Sequence, residues 1–227
     1  MANFGPSKQE IVAAAQRLSA RGHLVATGGN LSVRIPGAAA FAVTPSDLDY
    51  AAMTPDDVVV LDLDLAVLEG TRKPSIESSL HAAVYRARPD VHAVVHTHQP
   101  YASTLALVDA PIPALFDEQV RFLGRSVEIV PYGPSGTSLL RHQLARRLGS
   151  RANAYILRNH GAVCLGADLV RAENNVELLE KCALTYLIAL CTERKVSRIP
   201  LVVREVAFHK LKKDQEAAAL RAAGVRP

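Results

Sequence analysis

The apolar positions of the chain switch repeatedly between helical and strand spacing. Ile11, Ala14, Ala15 and Leu18 recur at helical intervals behind Ser7-Lys8-Gln9-Glu10, which has the form of a capping box, and the pattern stops at Arg21-Gly22. Short apolar runs at 31–35, 41–43 and 58–63 follow, separated by Pro36-Gly37 and Thr44-Pro45-Ser46-Asp47, and are predicted strands. Residues 69–74 read as a polar loop. Ser75 is placed as the cap of a helix that runs through Leu80, Ala83 and Val84 to about Arg88 and is stopped by Pro89. A strand at 91–97, a strand at 127–130, a helix at 138–148 and two short strands at 155–158 and 162–165 come next. The longest helix is expected at about 169–190, with Val176, Leu179, Ala183, Tyr186 and Leu187 on its inner face.

This order predicts an α/β fold: one domain over residues 1–227, a three-layer αβα arrangement with helices on both faces of a central sheet. The mixture of hairpins and crossovers argues against a doubly wound Rossmann sheet. The tail, about 207–227, reads as a mobile appendage with an Ala/Lys/Glu-rich helix at 215–222.

Composition narrows the classes. With 49% hydrophobic residues in 227, the chain can bury a sizeable core. Cys164, Cys182 and Cys191 are odd in number and sit in apolar contexts, which implies reduced thiols and a cytoplasmic protein. The start, Met1-Ala2-Asn3-Phe4-Gly5-Pro6, lacks the basic and apolar regions of a signal peptide, and the apolar stretch 182–191 is too short for a bilayer. The net charge of +4 collects at 141–158 and in the tail (Lys210, Lys212, Lys213, Arg221, Arg226), but aromatics are only 5% and no nucleic-acid module is visible. No nucleic acid or membrane partner is expected; the partner is a small molecule.

The candidate chemistry centres on His96-Thr97-His98. Residues i and i+2 of a strand share a face, so both imidazoles project side by side, as half of a zinc site would require. Asn159-His160-Gly161, in a turn between two apolar runs, can supply a third ligand, and Glu77 is a candidate for a fourth ligand or a base. The competing readings are a surface H-x-H pair and a glutamate that complements a helix dipole. Thr27-Gly28-Gly29-Asn30 offers unhindered backbone N–H groups for an anion; Thr44 and Ser46 could lend hydroxyls, and Ser75 a helix N-terminus. His81 and His92 are read as structural, and His23, His142 and His209 as surface residues. No G-x-S-x-G, Walker loop or C-x-x-C is present.

In chain order, Thr27-Gly28-Gly29-Asn30-Leu31-Ser32-Val33-Arg34, Thr44-Pro45-Ser46, Lys73-Pro74-Ser75-Ile76-Glu77, Arg88-Pro89-Asp90-Val91 through His96-Thr97-His98, and Asn159-His160-Gly161 resemble the class II aldolase/adducin family over about residues 7–192. The resemblance implies a mostly antiparallel central sheet and a homotetramer of fourfold symmetry with sites at subunit boundaries. It also implies that His96, His98 and His160 hold Zn²⁺ (or Mn²⁺ or Co²⁺), with Glu77 as a swinging ligand and proton-transfer group. The activity implied is that of a carbon–carbon lyase, cleaving a sugar or sugar phosphate hydroxy-ketone through a metal-stabilised enediolate. A decarboxylase of a hydroxylated aromatic or sugar acid, or a non-catalytic adducin-like binding module, are the alternatives. Three positions depart from the sugar-phosphate pattern. Asp47 replaces a glycine, Ile76 a phosphate-binding serine, and Asp117 a tyrosine that works from the neighbouring subunit. The first two imply weakened phosphate binding. Asp117 is either an acid for an incoming aldehyde or a loop residue.

Overall fold

The computed structural model describes residues 3–224; residues 1–2 and 225–227 of the expected domain, Arg226 among them, lie outside the described residues. Helix α1 (Gly5–Ala20) opens with Pro6 in its first turn, where a fixed φ and a missing N–H cost nothing. Its N-cap is Phe4, so Ser7 and Glu10 fall inside the helix and the expected capping box does not form. Strands β1 (Asn30–Arg34), β2 (Ala40–Val43), β3 (Val59–Asp62), β4 (Val67–Glu69), β5 (Ala93–Thr97), β6 (Glu128–Val130), β7 (Ala154–Leu157) and β8 (Gly161–Gly166) form an 8-stranded sheet of order β4-β3-β2-β1-β5-β8-β7-β6. Every neighbouring pair is antiparallel except β6–β7.

The remaining helices are α2 (Ser78–Ala87), α3 (Pro100–Leu107), α4 (Asp117–Phe122), α5 (Ser138–Ala145), α6 (Leu169–Cys191) and α7 (Leu201–Ala222). Alternation along the strands sorts the core into two layers. Leu31, Val33, Ala93, Val95, Ile156 and Cys164 face α1, α3 and α6, while Phe41, Val43, Val94, Leu157 and Val163 face α2 and α5. The three-layer αβα arrangement with a mostly antiparallel sheet is therefore the fold of this chain. Strand β4 and helices α3 and α4, which the sequence pattern did not separate from loops, complete it.

The tail differs from expectation. Instead of a mobile appendage it forms the long helix α7, whose Ala207, Phe208 and Leu211 join Ala114 and Val120 in a small apolar cluster of their own. The Arg125 guanidinium lies 3.8 Å from the centre of the Phe208 ring, and Gln215 donates to the Arg151 carbonyl at 2.8 Å. These apolar residues keep helical spacing among lysines and glutamates, so their stripe is narrow and becomes stable only against α4. Among the described residues no helix is long and apolar enough to cross a membrane.

Candidate metal centre and cleft

The site lies where β1, β5 and the β7–β8 hairpin end together. His96 sits opposite Asn30 on one side and Val163 on the other. Pleating turns His96 away from the α1/α3/α6 layer and toward α2, and His98 follows just past the strand end. The hairpin delivers His160 through Asn159, which takes a left-handed φ of 52° that asparagine tolerates. At Gly161 a Cβ would stand 2.3 Å from the Thr97 carbonyl oxygen and 2.8 Å from His98 Cδ2, so only glycine lets the two strands close over the histidines.

Glu77 occupies the N-cap position of α2 rather than its first turn, and Ser75 stands two residues earlier. Ser75 is therefore not the helix cap. Its Oγ accepts the Glu77 N–H at 3.2 Å, and Ser78 Oγ donates to its carbonyl at 2.7 Å, which together shape the approach to the helix. Glu77 is delivered to the histidines: Oε2 is 3.1 Å from His96 Nε2 and Oε1 is 3.5 Å from His160 Nε2. His96 Nδ1 donates to the Ala162 carbonyl at 2.9 Å, which leaves Nε2 of a neutral His96 as a bare lone pair, 3.0 Å from His98 Nε2. One ligating nitrogen of each of His96, His98 and His160 lies within 4.8 Å of the others. Three imidazoles and a carboxylate around one point match the donor set of zinc, manganese or cobalt, so this cluster could bind a metal.

Burial pushes the His96 imidazole down, the nearby Glu77 charge opposing it, and burial also lowers His98. Burial alone would raise the Glu77 carboxyl, yet its net shift is downward under the pull of His96, His160, Asn30 and Ser135. A neutral His96 lends no charge, so we assign the ionised state of Glu77 mainly to hydrogen bonds: Asn30 Nδ2 donates at 2.9 Å and Ser135 Oγ at 2.8 Å.

A cleft of about 200 Å³ opens over this cluster, lined among others by Gly28, Asn30, Ser46, Asp47, Ile76 and Ser135. The glycine turn is held from below by the buried Tyr50, whose hydroxyl donates to the Gly29 carbonyl at 2.6 Å. Gly28 lies so close that a Cβ there would be 3.0 Å from His98 Nδ1. Of the anticipated hydroxyls, Ser46 lines the cleft while donating to the Pro74 carbonyl at 2.9 Å. Thr44 is fully buried behind the wall, its Oγ1 accepting from Leu31 N at 3.3 Å. Asp47 has φ 56°, a backbone region that glycine adopts freely and aspartate tolerates. Ile76, 56% exposed, leans on Gly136 at the mouth.

Asp117 is exposed in the first turn of α4 and is not among the residues lining this cleft. Ser135 was not legible in the sequence. It is an exposed serine in the loop ahead of α5, flanked by Pro134 and Gly136, and only the fold brings its hydroxyl within 3.1 Å of His160 Nε2 as well as to Glu77.

The family model described as Class II Aldolase and Adducin N-terminal domain matches residues 9–187. The chain belongs to this family. Within it, the chain is 37% identical to 5-deoxy-D-ribulose 1-phosphate aldolase of Bacillus thuringiensis serovar kurstaki, over 79% of this chain and 83% of that protein. It is 33% identical to 3-oxo-tetronate 4-phosphate decarboxylase of Haemophilus influenzae, over 72% of this chain and 78% of that one. The solved structure of an L-fuculose 1-phosphate aldolase superposes with a TM-score of 0.87 at 32% identity, covering 93% of this chain and 98% of the other. With relatives that are aldolases and a decarboxylase, this member of the class II aldolase family is an enzyme of the lyase type.

Proposed function

We propose that the protein is a divalent-metal-dependent carbon–carbon lyase of aldolase type that cleaves a sugar or sugar phosphate hydroxy-ketone beside its carbonyl. The observation that carries this reading is the Glu77 carboxylate set 3.1 and 3.5 Å from two of three converging imidazoles on the floor of an open cleft. Held by His96, His98 and His160, a Zn²⁺ (or Mn²⁺ or Co²⁺) ion would supply the Lewis acidity that makes negative charge beside a carbonyl affordable. Glu77 moves the proton. It is ionised, buried and aimed inward, so it can take a proton from a substrate hydroxyl or carbon and return it after the bond has broken. Ser135 and Asn30 keep the carboxylate turned toward the cleft in between.

Gly28, Asn30, Ser46 and Ser75 would receive the anionic end of the substrate, with Thr44 supporting the wall from behind. Asp117 would act only across a subunit boundary, in a homotetramer whose sites are shared between protomers, within the cytoplasm. A decarboxylase on the same scaffold is the second reading. It is favoured by the 3-oxo-tetronate 4-phosphate decarboxylase among the relatives; the Asp47 carboxylate and the Ile76 side chain in the cleft wall are poor company for a phosphate in either reading. A product screen by mass spectrometry, with the zinc-loaded protein against phosphorylated and free hydroxy-ketones and hydroxylated carboxylic acids, decides between them. Aldehyde release supports the aldolase; CO₂ release supports the decarboxylase. No turnover by fully metal-loaded protein would favour a binding module.

A further inference from the structure

Between β1 and α2 the otherwise apolar layer is interrupted by a seam of polar side chains. A four-residue step on a helix advances about 6 Å and a two-residue step on a strand about 6.6 Å, so residues 77, 81 and 85 run alongside residues 30 and 32. The contacts are continuous. Tyr85 Oη lies 2.7 Å from Ser32 Oγ, Ser32 Oγ 2.6 Å from His81 Nδ1, His81 Nε2 2.6 Å from Asn30 Oδ1, and Asn30 Nδ2 2.9 Å from Glu77 Oε2. Ser32 and His81 have no exposed surface, Tyr85 keeps 2% and Asn30 5%.

Each bond in this row has one possible direction. Asn30 turns its NH₂ to Glu77 at 2.9 Å and its carbonyl oxygen, which can only accept, to His81 at 2.6 Å. His81 Nε2 must therefore carry hydrogen. Burial holds His81 down to about 3, so the ring is neutral and Nδ1 is an acceptor, filled by the Ser32 hydroxyl, whose oxygen in turn accepts from Tyr85. Neither ligand spacing nor the expected anion turn required a histidine at this place.

We propose that His81 is a positioning residue for Glu77: through its Nε2–H it locks the Asn30 amide in the one orientation that holds the carboxylate toward the imidazoles. The consequence for turnover rests on the reading of Glu77 as the proton-transfer group; the hydrogen-bond row does not. Without the His81 N–H, the Asn30 amide can rotate and present its oxygen to the carboxylate, which is repulsive, and Glu77 loses its fixed place.

The test combines structure, spectroscopy and kinetics on the full chain. Nitrogen-15 imidazole spectra of the wild type at neutral pH should show His81 as the neutral Nε2–H tautomer; an Nδ1–H tautomer would overturn the proposal. In a crystal structure of His81→Leu the Glu77 carboxylate should have left hydrogen-bond distance of Asn30 Nδ2. In His81→Gln, whose amide NH₂ can replace the lost donor, it should stay. A carboxylate unmoved in His81→Leu overturns the proposal; should His81→Leu not fold, the tautomer of wild-type His81 decides in its place, an Nδ1–H ring again overturning it. With zinc-loaded enzyme and 5-deoxyribulose 1-phosphate, kcat of His81→Leu should fall by about tenfold to a hundredfold with KM within about threefold, and His81→Gln should recover most of it. Added to Glu77→Gln, His81→Leu should cost nothing further; an equal loss in both backgrounds means a general structural role and overturns the proposal. A near-wild-type rate in Glu77→Gln alone would instead fault the reading of Glu77, and the tautomer and crystal structures would still judge the row.

Discussion

Replacing Gly161 by alanine tests whether the close approach of β5 and β8 builds the candidate metal centre. The backbone of Gly161 does not require glycine, since its φ is not among the positive ones. The obstacle is space. The new methyl would be 2.3 Å from the Thr97 carbonyl oxygen, about 1 Å inside the 3.4 Å at which ordinary contact begins, and the Thr97 atom is backbone that no rotamer can move aside. The same methyl would be 2.8 Å from His98 Cδ2 and 3.2 Å from His96 Cε1. Relief therefore has to come from parting the strands or turning the two imidazoles. A metal site tolerates errors of only about 0.2 Å in ligand distance, so a shift of this size should lower zinc affinity by tenfold or more. Competition with a calibrated chelator measures it, with Gly149→Ala as a control because nothing lies within 4 Å of a Cβ there. Circular dichroism should show the sheet retained. If Gly161→Ala binds zinc as tightly as the wild type, the histidine geometry does not depend on this contact and the reasoning fails.

His96→Ala, His98→Ala and His160→Ala are each expected to lose bound metal, read by elemental analysis, while His142→Ala stays close to wild type. Glu77→Gln should retain metal on three histidines yet lose about a hundredfold or more in turnover, because the amide cannot carry a proton; normal rates would reduce Glu77 to a packing role. The metal-free protein should lose stability as pH falls from about 6.5 toward 3. Folded His81 binds its proton well below the ordinary 6.5 of the unfolded chain, so the unfolded state takes up protons first and gains about 1.4 kcal/mol per pH unit from this group. Buried His96 acts in the same direction. Melting temperatures that stay flat between pH 7 and 5 would contradict this. Finally, Asp47→Gly with Ile76→Ser should strengthen binding of a phosphorylated hydroxy-ketone relative to its free form, measured by competition. A wild type that already prefers the phosphorylated form, unchanged by the double substitution, would show that backbone groups alone hold phosphate.

Local covalent geometry was enough for part of this molecule. The two-residue repeat of a strand puts His96 and His98 on one side, and turn chemistry places His160 beside a hairpin; both were legible because they depend on neighbours in sequence. The same holds for most strands and for the long helix α6, whose apolar stripe is wide. Signals that compete locally were less secure. Ser7-Lys8-Gln9-Glu10 has the letters of a capping box, but Pro6 suits a first turn better and starts the helix earlier. Ser75 looked like a cap until the chain put Glu77 in that place.

What only the tertiary structure decided are the meetings between distant segments. Asn30 faces His96 because of the β1–β5 register, and His81 reaches Asn30 and Ser32 because α2 lies across β1. Ser135 reaches Glu77 through a loop with no pattern of its own. The tail holds its place because Phe208 and Leu211 find the face of α4. A residue's spacing fixes the direction of its side chain within an element. Which group it meets there depends on strand order and packing across the whole chain, and in this protein that difference separates the three candidate ligand histidines, visible from sequence, from the hydrogen bonds that aim Glu77.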